Sequence, residues 1–234
     1  VPFADLVTDT VFNPIGMASS RYAPLPSEAQ SRAASGHRAD GSVVPGQWRE
    51  YPEHAAAGYW TTPTDLARFG IDLMESWRDG SGAVLSQELA REMLTPVDAI
   101  DLDAASTQSP APRVTYALGL GIGDDGGDRL HAIHTGGNTY AQIGFQSKIV
   151  LYPERGQGMV VLTNSDTGDA LIDELVASVS RELGWYSGII LDAGDVALLA
   201  LAALGAVAVV VVARRRQLRP PNCPDPRAGC GRES

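Results

Sequence analysis

The segment Arg129 to Ser147, RLHAIHTGGNTYAQIGFQS, holds the residues whose types and spacing bear most directly on chemistry. His131 and His134 form an H-x-x-H pair. On a helix that spacing suits a metal ion, but on a strand residues three apart point to opposite faces, so the two rings cannot converge. No metal and no other cofactor is expected. His134, Thr135, Gly136 and Gly137 carry a different potential. A strand edge with a proton-handling residue, a hydroxyl and two glycines can pair with a substrate's carbonyl and amide groups. The missing side chains at Gly136 and Gly137 let a ligand come against the backbone. An exposed N–H there can hold a developing oxyanion, often the largest single contribution in acyl transfer. The plain alternative is a strand end running into a Gly-Gly turn.

Other chemistry-bearing residues yield less. GLGIG, Gly119 to Gly123, precedes a charged turn and no helix, so it lacks the geometry that cradles a phosphate; it reads as a glycine-rich strand that lets another backbone approach. His37 and His54 fall in a loop-rich stretch and read as surface or turn residues. The two cysteines, Cys223 and Cys230, are too few for a zinc site.

These residues need elements to position them. In VPFADLVTDTVFNPIGM, Phe3, Leu6, Val7 and Val11 recur at helical spacing and Asn13-Pro14 ends the helix. Residues 18–57, rich in Ala, Ser, Gly and Pro, read as a long surface excursion. Thr62 is suited to cap a helix that begins at Pro63, with Asp65 reaching back to the cap. Leu66, Phe69, Leu73, Met74 and Trp77 form its apolar stripe. A shorter helix follows Ser86 and runs to Leu94, before Pro96. From Arg113 the period changes: VTYALGLGI, LHAIHT, FQSKIVLY and GMVVLTN are short, β-rich and separated by turn signals at Asp124 to Asp128 and Pro153 to Gly156. Asp169 to Leu183 closes this part as an amphipathic helix. Helices, then an antiparallel meander, then a helix predict an α+β layered domain over residues 1–187: helices and loops to 112, strands over 113–167, a closing helix over 168–184.

Beyond residues 188–195, VALLALAALGAVAVVVVA (Val196 to Ala213) has no charge and is followed by RRRQLR. Eighteen helical residues reach about 27 Å, close to the hydrocarbon thickness of a bilayer. The expectation is one transmembrane helix over 196–213, with the arginines and a disordered tail, 214–234, on the cytoplasmic side and the preceding domain outside. Trp185 and Tyr186 suit the headgroup layer or, equally, the packing of a helix end. In the cytoplasm the two cysteines are not expected to form a structural disulfide. The whole chain has a formal charge of −10 and its tail is basic, so the acidic balance lies on the exported part and argues against nucleic acid as a partner. The expected partners are a small-molecule or peptide substrate and the membrane.

FADLVTDTVFNPIGM, EHAAAGYWTTPTDLARFG, YALGLGI, HTGG, GFQSKIVLYPERGQGMVVLTNSD and the closing helix, in this order, resemble the C-terminal portion of the penicillin-binding protein and class C β-lactamase-like serine hydrolases. The resemblance covers residues 1 to about 184. It implies the β-lactamase/DD-peptidase-like α+β fold, its N-terminal part missing, and a site of three elements: Ser-x-x-Lys, Tyr-x-Asn or similar, and Lys-Thr-Gly or His-Thr-Gly. Carried onto this sequence, His134 takes the catalytic position usually held by lysine or histidine. Thr135 and Gly136 line the strand, and Gly137 offers its N–H to the oxyanion. Because histidine's charge depends on pH, recognition of a carboxylate there is less secure than with a permanent cation.

The other two elements are missing. The only lysine is Lys148, preceded three positions earlier by Phe145, and no tyrosine or serine is followed two positions on by asparagine. The resemblance therefore implies the C-terminal part of a membrane-anchored, exported serine hydrolase acting through an acyl-enzyme on an ester, amide or β-lactam. It carries one wall of the site without the nucleophile and is expected to be inactive alone. The alternatives are a non-catalytic, membrane-anchored binding module of the same fold and a decayed chain without folded function.

Overall fold

The computed structural model describes residues 1–97, 113–124, 130–137 and 143–185. The chain divides into two units, Val1–Gly188 and Ile189–Ser234, and the described residues all fall in the first. The expected span over 196–213, the tail with its cysteines, Tyr186 and the turn at 125–128 lie outside the described residues. Among the described residues no helix is long and apolar enough to cross a membrane.

Helix α1 (Phe3–Val7) continues as a wider π turn over Thr8–Phe12 and closes at Asn13, as the Asn-Pro signal predicts. Two short strands, β1 (Arg21–Tyr22) and β2 (Tyr59–Trp60), pair antiparallel, and α2 (Ser27–Gln30) and α3 (His54–Ala57) lie between them. Residues 18–57 are therefore more than a surface excursion: Leu25, Ala29 and Val44 are buried, and the backbone of His37 bridges to Ser165. These anchors join residues far apart in sequence, which local periodicity does not reveal.

Helix α4 (Pro63–Asp79) begins as the sequence specifies. Thr62 Oγ1 accepts the Asp65 N–H at 3.2 Å, which satisfies one of the helix's orphan donors, and Pro63 sits where no intrahelical N–H is needed. The Asp65 side chain does not reach back to the cap. Its Oδ2 accepts from the Ser19 N–H and the Ser20 hydroxyl, and its Oδ1 pairs with Arg68 at 2.8 Å. A buried carboxylate gains more from these charge-assisted partners. Helix α4 ends at Gly80 in the left-handed conformation, with its N–H on the Glu75 and Ser76 carbonyls. Helix α5 (Gln87–Met93) follows, capped by Ser86.

The sheet has five antiparallel strands in the order β3 (Arg113–Tyr116), β4 (Gly121–Asp124), β5 (Leu130–Gly137), β6 (Gln146–Tyr152) and β7 (Gln157–Thr163). VTYALGLGI, expected as one strand, is a hairpin of β3 and β4. The chain reverses at Gly119, whose φ of +81° suits glycine, while the apolar pattern runs on across the turn and hides it. Pro153 to Gly156 turns β6 into β7 as expected.

Helices cover both sheet faces. Leu73, Met74, Ala90 and Leu94 of the α4–α5 layer pack on Ile122, Ala132, Ile149 and Leu151. Burying a side chain such as Leu73, 1% exposed, contributes about 1.5–3 kcal/mol. On the other face Ile172 and Val176 of α6 (Gly168–Glu182) pack on Val150 and Tyr152. Trp185 finishes this second cluster, its ring 4.8 Å from that of Tyr152 and its indole N–H donating to Gln157 Oε1 at 2.7 Å. Of the two roles open to Trp185, the helix-end packing is the one observed.

Candidate active site

Strand β5 lies at the centre of the sheet, but its two neighbours cover different lengths of it. Strand β4 pairs with Leu130 to Ile133 only, whereas β6 pairs from Ala132 to Gly137. Over His134, Thr135, Gly136 and Gly137, no strand among the described residues pairs with the edge that faces β4.

The direction of the backbone groups along this edge follows from two side-chain contacts. The Ser147 hydroxyl donates to the Gly136 carbonyl at 3.2 Å, so that carbonyl faces β6. The Thr163 hydroxyl donates to the Gln146 carbonyl at 3.1 Å, so Gln146 faces β7, and Ser147 faces β5. Because N–H and C=O alternate in direction along a strand, the peptide groups of Thr135 and Gly137 point away from β6, toward the open edge. A ligand laid along this edge as an extra strand meets one residue's donor and acceptor, then another's two positions on.

The side chains divide between the sheet's faces. His131 is buried on the α6 side, its ring stacked 5.6 Å from that of Tyr152. His134 is exposed on the opposite side, and its Nδ1 lies 2.8 Å from the Gly119 carbonyl oxygen. The two histidines do not converge, as strand geometry requires. Thr135 is exposed and stands opposite Lys148, whose ammonium pairs with Asp173 of α6. The one lysine of the chain is thus held on the α6 face, away from His134.

The two glycines serve their strand neighbours in a way the sequence does not announce. A Cβ on Gly136 would run into the Ser147 hydroxyl, and one on Gly137 into the carboxamide of Gln146. The space they leave on the sheet's faces is used by those side chains, and close approach of a ligand applies to the strand's edge. His37 and His54 stay outside this arrangement: His37 ties its loop to Asn164 through Nδ1 at 3.0 Å, and His54 opens α3. Sequence reasoning missed Gly119, Gln146 and Ser147; the glycine spacing in GLGIG was the one available signal. Among the described residues no group of histidine, cysteine and acidic side chains could hold a metal ion.

A five-stranded antiparallel sheet between helical layers, with His-Thr-Gly-Gly on the half-open central strand, is the β-lactamase/DD-peptidase-like α+β architecture. The Beta-lactamase family model matches residues 1–179, and the chain belongs to that family of serine hydrolases. No curated protein matches the chain. Among solved structures it is similar to the octameric penicillin-binding protein homologue from Pyrococcus abyssi (TM-score 0.59, 21% identity, covering 79% of this chain and 38% of that one). It is also similar to the D-alanine carboxypeptidase AmpC from Burkholderia cenocepacia (TM-score 0.56, 19% identity, 78% and 55% covered). A class C β-lactamase from Rhodobacter sphaeroides shares the fold as well (TM-score 0.51, 18% identity, 70% and 50% covered). The chain spans between 38% and 55% of the length of these neighbours.

Proposed function

We propose that this chain is the C-terminal part of an exported, membrane-anchored serine hydrolase and supplies one wall of its acyl-transfer site. The observation that carries the reading is the open edge of β5 over His134 to Gly137, with the peptide groups of Thr135 and Gly137 pointing out of it. In the complete protein a serine hydroxyl outside this sequence attacks the carbonyl of an ester, amide or β-lactam, its proton passing to a neighbouring base. The carbonyl oxygen gains negative charge and takes a hydrogen bond from the Gly137 N–H. Removing one such donor costs about 100- to 1000-fold in rate in well-studied hydrolases. The bond to the leaving group then breaks, the leaving group takes a proton, and water releases the acyl group from the serine. The edge of β5 holds the substrate's backbone throughout, and His134 meets a polar group beside it.

Without Ser-x-x-Lys this sequence has no nucleophile of this type, and alone it is inactive. The charge-free run from Val196 to Ala213 and the arginines behind it support an anchor that leaves the hydrolase domain outside the cytoplasm. The test is the coding sequence immediately upstream of Val1, read in frame. An intact Ser-x-x-Lys followed by Tyr-x-Asn supports the hydrolase; substituted motifs overturn it and leave a binding module of the same fold.

A further inference from the structure

The contact between His134 and Gly119 settles which ring nitrogen of His134 carries the proton. A carbonyl oxygen can only accept, so Nδ1, 2.8 Å away, must be the donor. In the neutral ring the other nitrogen, Nε2, is then an acceptor, and it has no partner among the described residues. The carbonyl is held firmly in place. The Leu118 N–H bonds the Met93 carbonyl at the end of α5, and the Ala117 N–H bonds that of Leu120. Gly119 itself sits at φ +81°, and a Cβ there would meet nothing within 4 Å, so the demand on this position is one of backbone conformation alone.

We propose that Gly119 is a positioning residue that fixes His134 as the Nδ1–H tautomer, so that the wall offers an acceptor, Nε2, beside the open edge of β5. The substrate group that meets the neutral ring is accordingly a donor, an amide N–H or an alcohol O–H, and not a carboxylate. This assignment of substrate chemistry rests on the hydrolase reading; the tautomer does not.

The test is ¹⁵N NMR of the full chain labelled at histidine, recorded well above the ordinary histidine pKa of about 6.5. The chain has four histidines, and His134→Gln identifies the signals of His134. The expected spectrum has Nδ1 of His134 at the protonated, pyrrole-like position and Nε2 at the pyridine-like one. Gly119→Val, strained at positive φ, is expected to lose that pattern, and Gly119→Asn, the side chain that best tolerates such a φ, to keep it. A His134 ring protonated on Nε2 in the unsubstituted chain overturns the proposal, with no variant needed. A Gly119→Val spectrum unchanged in a folded chain overturns the role of Gly119. Neither result touches the hydrolase reading, which stands or falls on the upstream motifs.

Discussion

His131 and His134, three residues apart on β5, face opposite ways: one ring is buried against Tyr152 and the other is exposed beside the Gly119 carbonyl. The first is part of the packing and the second part of a surface that can meet a ligand. Zinc titration followed by calorimetry is therefore expected to give the same result for the chain and for His134→Gln. A tight zinc affinity abolished by that substitution would show that the two rings can be brought together.

The cap of α4 sets a second expectation. Thr62→Ala removes the acceptor for the Asp65 N–H and should lower stability by about 1 kcal/mol in urea denaturation. Thr62→Ser keeps an oxygen at the same place and should recover most of the loss.

Trp185 fills the end of the α6 cluster at 1% exposure. Trp185→Ala is expected to cost about 3–5 kcal/mol, measured by the shift of the denaturation midpoint. A residue serving the membrane surface would leave that midpoint where it was.

Alkaline pH should weaken the fold near its N-terminal end. Burial raises the pKa of Tyr22, and Tyr59 beside it adds to the rise; burial likewise raises that of Tyr59, against hydrogen bonds with Ser20 and Thr61. The folded chain then holds these protons to a higher pH than the unfolded one. Their contribution is fully present below the ordinary tyrosine pKa of about 10 and is lost as pH rises through the raised folded values. The denaturation midpoint is expected to fall over that alkaline range, less steeply in Tyr22→Phe.

Local chemistry was legible where it acts locally. Thr62, Pro63 and Ser86 begin helices as their side chains dictate, and the H-x-x-H pair splits across β5 because a strand alternates. What escaped depends on partners distant in sequence. Asp65 is claimed by Ser19 and Ser20, 46 and 45 residues away, and His37 by Asn164, 127 residues away. The turn at Gly119 was hidden for another reason, since apolar residues on both sides continue a strand-like pattern through it. Within the candidate site, the types at His134 to Gly137 were readable, but the half-open edge was not. It arises because β4 begins only at Gly121, opposite Ile133, four residues short of the end of β5.

Covalent labelling distinguishes the proposed wall without a nucleophile from a self-sufficient enzyme. The 234-residue chain and the gene product extended upstream are each treated with a serine-directed acylating probe and weighed by mass spectrometry. The expected result is no adduct on the chain and one acyl group per molecule, on the serine of Ser-x-x-Lys, in the extended product. A stoichiometric adduct on the chain itself would contradict it.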